Sequence, residues 1–377
     1  MQPTKTVYGT WSGGRYMHFG EPITEERYIA AIRTAYAKGI RTFMTSDVYG
    51  LGEADTILGR ALEGFKRDTY CLIGVIGHDI YDGKRDGAKG YMRFTNDVLR
   101  PPAQYASYLR MATEKALERI KAESFDGVLL HNPDSTGYST EPVWKAMDSL
   151  REAKLAEFIG VAPGPANGFT LDIIQCFERF GPLIDWAMVI QGPLEPWPSN
   201  LLQPAAVKNN INLIARVVDY GGLFHDDVKP GHKFGEKDHR NYRPAGWVET
   251  GNEKIEKMRP FTEKYGVTML QLACLWTLAQ PSMKAVAPTL IQECGDHAKQ
   301  YEEKLADLAA LPDIKLADED VLAIAEIGNN KGCMNLKGGN PTYQDEPVAD
   351  QWPMNDDLEG VASRWNIKPD EDLVCTM

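Results

Sequence analysis

The sequence predicts an α/β fold of the (β/α)8 TIM-barrel class, and three observations carry that prediction. Short apolar runs alternate with segments of helical periodicity along most of the chain, which implies parallel strands joined by right-handed crossovers. About eight such runs are present, and a chain of 377 residues suits one barrel better than two ordinary domains. The alternative, an open doubly wound sheet, lacks its fingerprint: no Gly-x-Gly-x-x-Gly follows an early strand.

Taken in order, residues 6–11 read as the opening strand. Thr24 is a good N-cap for a helix that runs to Lys38, with Ile29, Ile32 and Tyr36 on one face and Gly39 as its stop. A strand over 41–44 and a helix over 54–65 follow. Residues 70–75 (Tyr-Cys-Leu-Ile-Gly-Val) are continuously apolar, as expected of a strand buried on both faces. A Gly- and Asp-rich loop spans about 77–100, before a helix over 104–122. Strands are predicted at 126–131, 158–161, 186–191, 212–218 and 284–287. The intervening helices are placed at 142–154, 170–180, 201–210, 253–265 and 269–280. A long polar loop rich in Gly and Pro fills 220–251, and two helices (299–311, 318–327) close the barrel domain, 1–334. The remaining residues, 335–377, hold many turn formers (337–341, 345–347). They are expected to pack on the barrel as a C-terminal extension with a short helix near 358–365.

The net charge of −12 and pI near 5.2 argue against nucleic acid or anionic membranes as partners. No apolar run reaches transmembrane length, and the N-terminus lacks the apolar core of a secretory signal. The six cysteines lie far apart without a Cys-x-x-Cys pair, as reduced thiols of a cytoplasmic protein do. Nothing in the sequence sets an oligomeric state.

In a barrel of this class the chemistry lies at the C-terminal ends of the strands. Tyr49 and His131 fall there, and a phenol that donates a proton beside an orienting imidazole suits carbonyl chemistry. Residues 39–62 contain Phe43-Met-Thr-Ser-Asp-Val-Tyr-Gly50, then Glu53 and Leu58-Gly-Arg-Ala-Leu62. This stretch resembles the "FDTA..YG..E..LG.AL" signature of the aldo-keto reductase superfamily. The resemblance extends to Asp126-Gly-Val-Leu-Leu-His-Asn-Pro-Asp134, to 158–161, to Arg216-Val-Val, to 238–242 and to 270–281, so that it covers about residues 5–330. It implies a TIM barrel and a nicotinamide cofactor, NAD(P)H. It also implies Tyr49 as general acid/base, His131 as its partner, and Gln191 and Arg216 toward the cofactor.

The departures from that pattern are specific. The family's catalytic Asp is Met44 and its Lys is Val75. The Ser-Asn pair that holds the nicotinamide is Ala162-Pro163, the stacking Tyr is Leu194, and 288–293 lacks the base expected near a 2′-phosphate. These losses imply a changed use of the cofactor, with NAD(H) preferred over NADP(H). Trp11, Met44, His78, Trp197 and also Trp247 are expected to line a substrate pocket. The 220–251 loop reads as solvated; its His225, Asp226, His232 and His239 are weak candidates for a metal site, in no known ligand spacing. The expected function is an oxidoreductase acting on the carbonyl or hydroxyl of a small polar, sugar-like molecule. The alternatives are a non-redox lyase, isomerase or hydrolase using Tyr49 and His131, metal-assisted or not, and a catalytically silent binding subunit.

Overall fold

The computed structural model describes residues 1–86, 90–164, 169–329 and 354–373. Its eight strands are β1 (Val7–Gly9), β2 (Thr42–Ser46), β3 (Cys71–Ile76), β4 (Gly127–His131), β5 (Phe158–Ala162), β6 (Trp186–Ile190), β7 (Asn212–Arg216) and β8 (Met283–Ala287). Each pairs in parallel with the next, in chain order. A parallel bridge between Thr6 and Val286 joins the last strand to the first, with Val286 N donating to the Lys5 carbonyl at 2.9 Å. The chain is a (β/α)8 barrel.

The barrel helices are α1 (Glu25–Ala37), α2 (Glu53–Leu62), α3 (Tyr105–Ile120), α4 (Ser135–Ser139), α5 (Glu141–Glu152), α6 (Thr170–Phe180) and α7 (Ser199–Lys208). After them come α8 (Trp247–Tyr265), α9 (Met269–Leu278), α10 (Tyr301–Ala309), α11 (Asp318–Gly328), α12 (Asp356–Arg364) and α13 (Pro369–Asp372). None of the described helices is long and apolar enough to cross a membrane. Thr24 caps α1 as its sequence predicts, accepting from Arg27 N at 3.3 Å, and Gly39 ends the turn at a φ of 101°. Thr268 and Gln271 form a capping box at the start of α9.

Strand alternation divides the apolar side chains into two cores. Outward-facing residues such as Phe43, Leu72, Val128 and Ile159 pack under the helices. Inward-facing Met44, Ile73, Val75, Leu129, Ala162, Met188 and Ile214 fill the barrel, with Trp11 among them. Phe158 and Trp186 are also inward, and Trp186 Nε1 donates to Gln2 at 3.0 Å. Rings of this size fit because glycines face them. The Phe158 ring lies where a Cβ on Gly127 would stand, and a Cβ on Gly160 would come within 1.9 Å of the Trp186 carbonyl. Gly160→Ala is therefore expected to destabilise the protein by roughly 1–3 kcal/mol through overpacking, read as a lowered denaturant midpoint.

Two elements differ from the sequence expectation. Helix α8 begins at Trp247, after a left-handed Gly246 (φ 79°), and runs through Gly251. There a Cβ would stand 2.3 Å from Leu223, so this glycine serves close packing and does not end a loop. Helix α4 is a single turn capped by Asp134, which accepts from Gly137 N at 2.8 Å. The C-terminal residues pack on α6: Arg364 and Trp365 both reach Glu178, at 2.6 and 2.9 Å. The turn-rich stretches 337–341 and 345–347 lie outside the described residues.

Candidate active site

Tyr49 owes its position to a sharp turn. After β2, Gly50, Leu51 and Gly52 take successive left-handed conformations (φ 60°, 54° and 94°) and swing the chain into α2. Behind the turn, Gly52 lies against the Arg119 guanidinium, which pairs with buried Asp55 at 2.8 Å. The turn leaves the Tyr49 ring half-buried at the mouth, packed on the interior cluster that contains Trp11 and Met44.

His131 ends β4 and is buried, and its ring meets Tyr49 edge to face, with centroids 5.9 Å apart and planes at 84°. On its other side His78 packs edge-on at 4.9 Å. His131 Nδ1 lies 2.9 Å from Ser46 Oγ, across the β3 strand. His78 is held in turn: Asn132 Nδ2 donates to its Nε2 at 3.1 Å, and its Nδ1 lies 3.1 Å from the Tyr91 carbonyl. Arg93 braces this pair, donating to the Tyr91 carbonyl at 2.9 Å and from Nε to the Asn132 carbonyl. Tyr49, His131 and His78 thus stand in a row, with the side chains of Met44 and Val75 in the apolar floor below.

Arg216 ends β7, and its guanidinium donates to the carbonyls of Gly164 and, at 3.4 Å, Pro163. A small cleft beside it is lined by Pro163, Gly164, Met188 and Ile190. Gln191 is fully buried; its Oε1 accepts from Gln203 Nε2 at 2.7 Å. Its own Nε2 is buried without a partner among the described residues.

The charges follow from burial. Desolvation pushes the Tyr49 phenol up to about 12, against the pull of the Arg216 charge and with Asp47 adding to the rise. Burial holds His131 well below the usual imidazole range, and the neighbouring His78 and the charges of Arg93 and Arg216 also oppose a proton on it. Burial and then Arg93 pull His78 down to about 3. At neutral pH the row is a neutral phenol beside two neutral imidazoles. Glu195, just after β6, is buried and raised to about 7 by desolvation, against Arg243 and Arg216 and with Asp219 adding to the rise.

The other sequence candidates lie apart. Trp197 donates to the Asp372 carbonyl at 2.6 Å, tied to the C-terminal α13. Trp247 stacks on Phe234 at 5.7 Å under the Arg243 guanidinium. The 220–251 loop is not a solvated strap: Asp227, Asp238, His225 and Arg240 are buried. His225 Nε2 donates to the Thr289 carbonyl at 2.8 Å, and Asp226 pairs with Lys229 and Arg259. His232 faces Glu293 at 3.4 Å, and His239 rests on His18 and Phe19. The four metal candidates do not converge, and among the described residues no group of three or more His, Cys, Asp or Glu is placed to hold a metal ion. The carboxylates of this region are already neutralised. Arg240 grips both Asp238 (2.7 Å) and Glu293 (2.9 Å), and Lys304 pairs with Asp227 at 2.6 Å.

The strand ends place Ser46 and Asn132 at the mouth from sequence alone but assign them no role, and Arg93 and Glu195 are not singled out there at all. Only Ser46 carried a readable signal, since it stands where the family signature has alanine. The others sit in loops whose course no periodicity announces.

The model of the aldo/keto reductase family matches residues 5–329 of this chain. The chain belongs to that family. Among its curated relatives, the aldo-keto reductase YhdN of Bacillus subtilis is 25% identical over 289 residues, covering 74% of this chain and 79% of the relative. Versiconal hemiacetal acetate reductase of Aspergillus parasiticus is 21% identical over 364 residues, covering 86% and 94%. Among solved structures, glycerol dehydrogenase from Gluconobacter oxydans superposes with a TM-score of 0.66 at 19% identity, covering 90% of this chain and 95% of that one. An aldo/keto reductase from Klebsiella pneumoniae, solved with NADP and acetate, gives 0.59 at 17% identity, covering 86% and 92%.

Proposed function

We propose that this protein is a nicotinamide-dependent oxidoreductase acting on the carbonyl/hydroxyl pair of a small polar molecule of the sugar-derivative class. The observation that carries the reading is the edge-to-face meeting of Tyr49 and His131 at the barrel mouth. Family membership makes a redox reaction the expected chemistry, and the Klebsiella relative is known with NADP bound.

The residues present fit a nicotinamide at one end and not a 2′-phosphate at the other. The orphaned Nε2 of Gln191 is a buried donor at the mouth, suited to a carboxamide oxygen, and Arg216 stands close by. When bound, the nicotinamide supplies or accepts the hydride. Ala162 and Pro163 offer no side-chain hydrogen bonds there, so positioning rests on Gln191 and Arg216. After β8, the cations that the fold brings near 288–293 include Arg27, Arg240 and Lys304, and each is already paired with carboxylates. A phosphate dianion would have to compete with Glu293, Asp238 and Asp227, so NAD(H) is the favoured form.

Tyr49 is the proton donor to the substrate oxygen, and remains protonated well above neutral pH because burial disfavours the phenolate and no lysine at position 75 offsets it. Arg216 acts on the phenol from the opposite side of the mouth, but burial outweighs it. His131 orients the oxygen that Tyr49 contacts. Met44, Val75 and Trp11 exclude water from below.

The mouth charge changes near neutrality through Glu195. Raised to about 7, it is half ionised near neutral pH, and its carboxylate then offsets Arg216. Rate or cofactor affinity is expected to show an inflection near pH 7 that Glu195→Gln removes. A profile identical in the two proteins excludes Glu195 from the working site. The reading as a whole is tested by assaying oxidation of a panel of small polyols and sugar derivatives with NAD+, and reduction of the matching carbonyls with NADH.

A further inference from the structure

Ser46 hydrogen-bonds both the Val75 carbonyl and the His131 ring. A serine hydroxyl has one proton to give, and three acceptor-capable atoms surround this one. The Val75 carbonyl is at 2.6 Å, His131 Nδ1 at 2.9 Å and Asp47 Oδ1 at 3.5 Å. A carbonyl oxygen has no proton of its own, so at 2.6 Å the hydroxyl proton must lie between Ser46 and Val75; otherwise two lone pairs face each other. The hydroxyl then meets His131 with its lone pair, and Nδ1 must carry the proton. The other ring nitrogen, Nε2, is left with a lone pair, and the ring's hydrogen bond among the described residues is the one at Nδ1. Tyr49 Oη likewise makes no hydrogen bond among the described residues, although its ring touches His131.

We propose that Ser46 is a positioning residue that holds His131 as its Nδ1–H tautomer, so that the mouth offers one substrate oxygen a lone pair from His131 Nε2 and a proton from Tyr49. This pairing is complementary to a hydroxyl, which accepts from Tyr49 and donates to Nε2. A carbonyl oxygen only accepts, and would set its lone pairs against that of Nε2. The alcohol form of the substrate is therefore the better ligand. The recognition rests on the reading of Tyr49 and His131 as the reacting pair, whereas the tautomer itself does not. The two departures on β2 belong together in this arrangement: Met44 removes a carboxylate, and two residues on, on the same face of the strand, Ser46 supplies the group that orders the histidine. Val75, where the family has lysine, pairs in register with Ser46 on one side and with Leu129 on the other, so the bond from β2 to β4 passes across it.

The test is nitrogen NMR of the full-length protein labelled at its seven histidines, at neutral pH without cofactor or substrate. The His131 signals are assigned by their loss in His131→Gln. The expected spectrum has a pyrrole-type Nδ1 and a pyridine-type Nε2. In Ser46→Ala the tautomer ratio shifts by about tenfold toward Nε2–H, the factor set by one buried hydrogen bond. Ser46→Thr, which keeps the hydroxyl, retains the parent ratio. A proton on Nε2 in the unsubstituted protein overturns the proposal, as does an unchanged ratio in Ser46→Ala. If Ser46→Ala does not fold, the unsubstituted protein and Ser46→Thr still decide the question. A correct tautomer in a protein that binds no nicotinamide upholds the role of Ser46 toward His131 and rejects the redox reading, so the two fail separately.

Discussion

Tyr49→Phe is expected to lower turnover by ~10²–10⁴-fold, the contribution of one positioned general acid, while cofactor affinity stays within about twofold. The phenol ring contributes packing against Trp11 and Met44, which Phe keeps. What Phe removes is the hydroxyl proton, held to about pH 12 in the folded protein. Steady-state rates with NADH and a carbonyl substrate, paired with a fluorescence titration of the cofactor, separate the two effects. An unchanged rate removes Tyr49 from the mechanism and leaves the mouth without a proton donor in the position the family resemblance assigns.

Arg240→Ala is the substitution expected to harm stability most, by about 3–5 kcal/mol, because it strips the counter-charge from two buried carboxylates at once. Arg240 is 1% exposed, and its guanidinium binds Asp238 through two contacts and Glu293 through two more. It also stacks over Phe234 at 4.3 Å, so packing is lost with the charge. The pH dependence follows from Glu293. Burial pushes its carboxyl up, but the facing His232, the hydrogen bonds from Arg240 and the charges of Arg240 and Lys304 outweigh it and hold the group at about 2. Its folded value is below the ordinary 4.5, so its contribution is present above that pH and lost as pH falls toward about 2. In Arg240→Ala, acid unfolding is expected to begin at a higher pH than in the parent. Circular dichroism across an acid titration checks both statements, and coincident curves for the two proteins would show that the cluster is not a stabilising unit.

The barrel was legible because its signals are local. Runs such as 70–75 and 158–161 declare buried strands by composition, and Thr24 and Gly39 mark a helix by its ends. The pairing of Tyr49 with His131 was legible through the resemblance and through the rule that strand C-termini meet at one mouth. The 220–251 loop was not. Its polar composition has the look of solvent exposure, yet its carboxylates are buried against cations such as Lys304, far along the chain from its partner Asp227. Glu195 was missed for the same reason. A single acid after a strand has no period, and its neighbours Arg216, Asp219 and Arg243 converge on it only after folding.

We propose that the mouth of this barrel takes a nicotinamide cofactor, in its NAD(H) form, above a Tyr49–His131 pair. The most direct measurement is a calorimetric or fluorescence titration of the purified protein with NADH and with NADPH under one set of conditions. The expected result is saturable binding of NADH, tighter than NADPH by about tenfold or more, since each ~1.4 kcal/mol of unfavourable charge at the 2′ position is a factor of ten. Sub-micromolar binding of NADPH, tighter than NADH, would contradict the assignment of Arg240 and Lys304 as already committed cations. No binding of either cofactor to the folded protein would contradict the redox function itself.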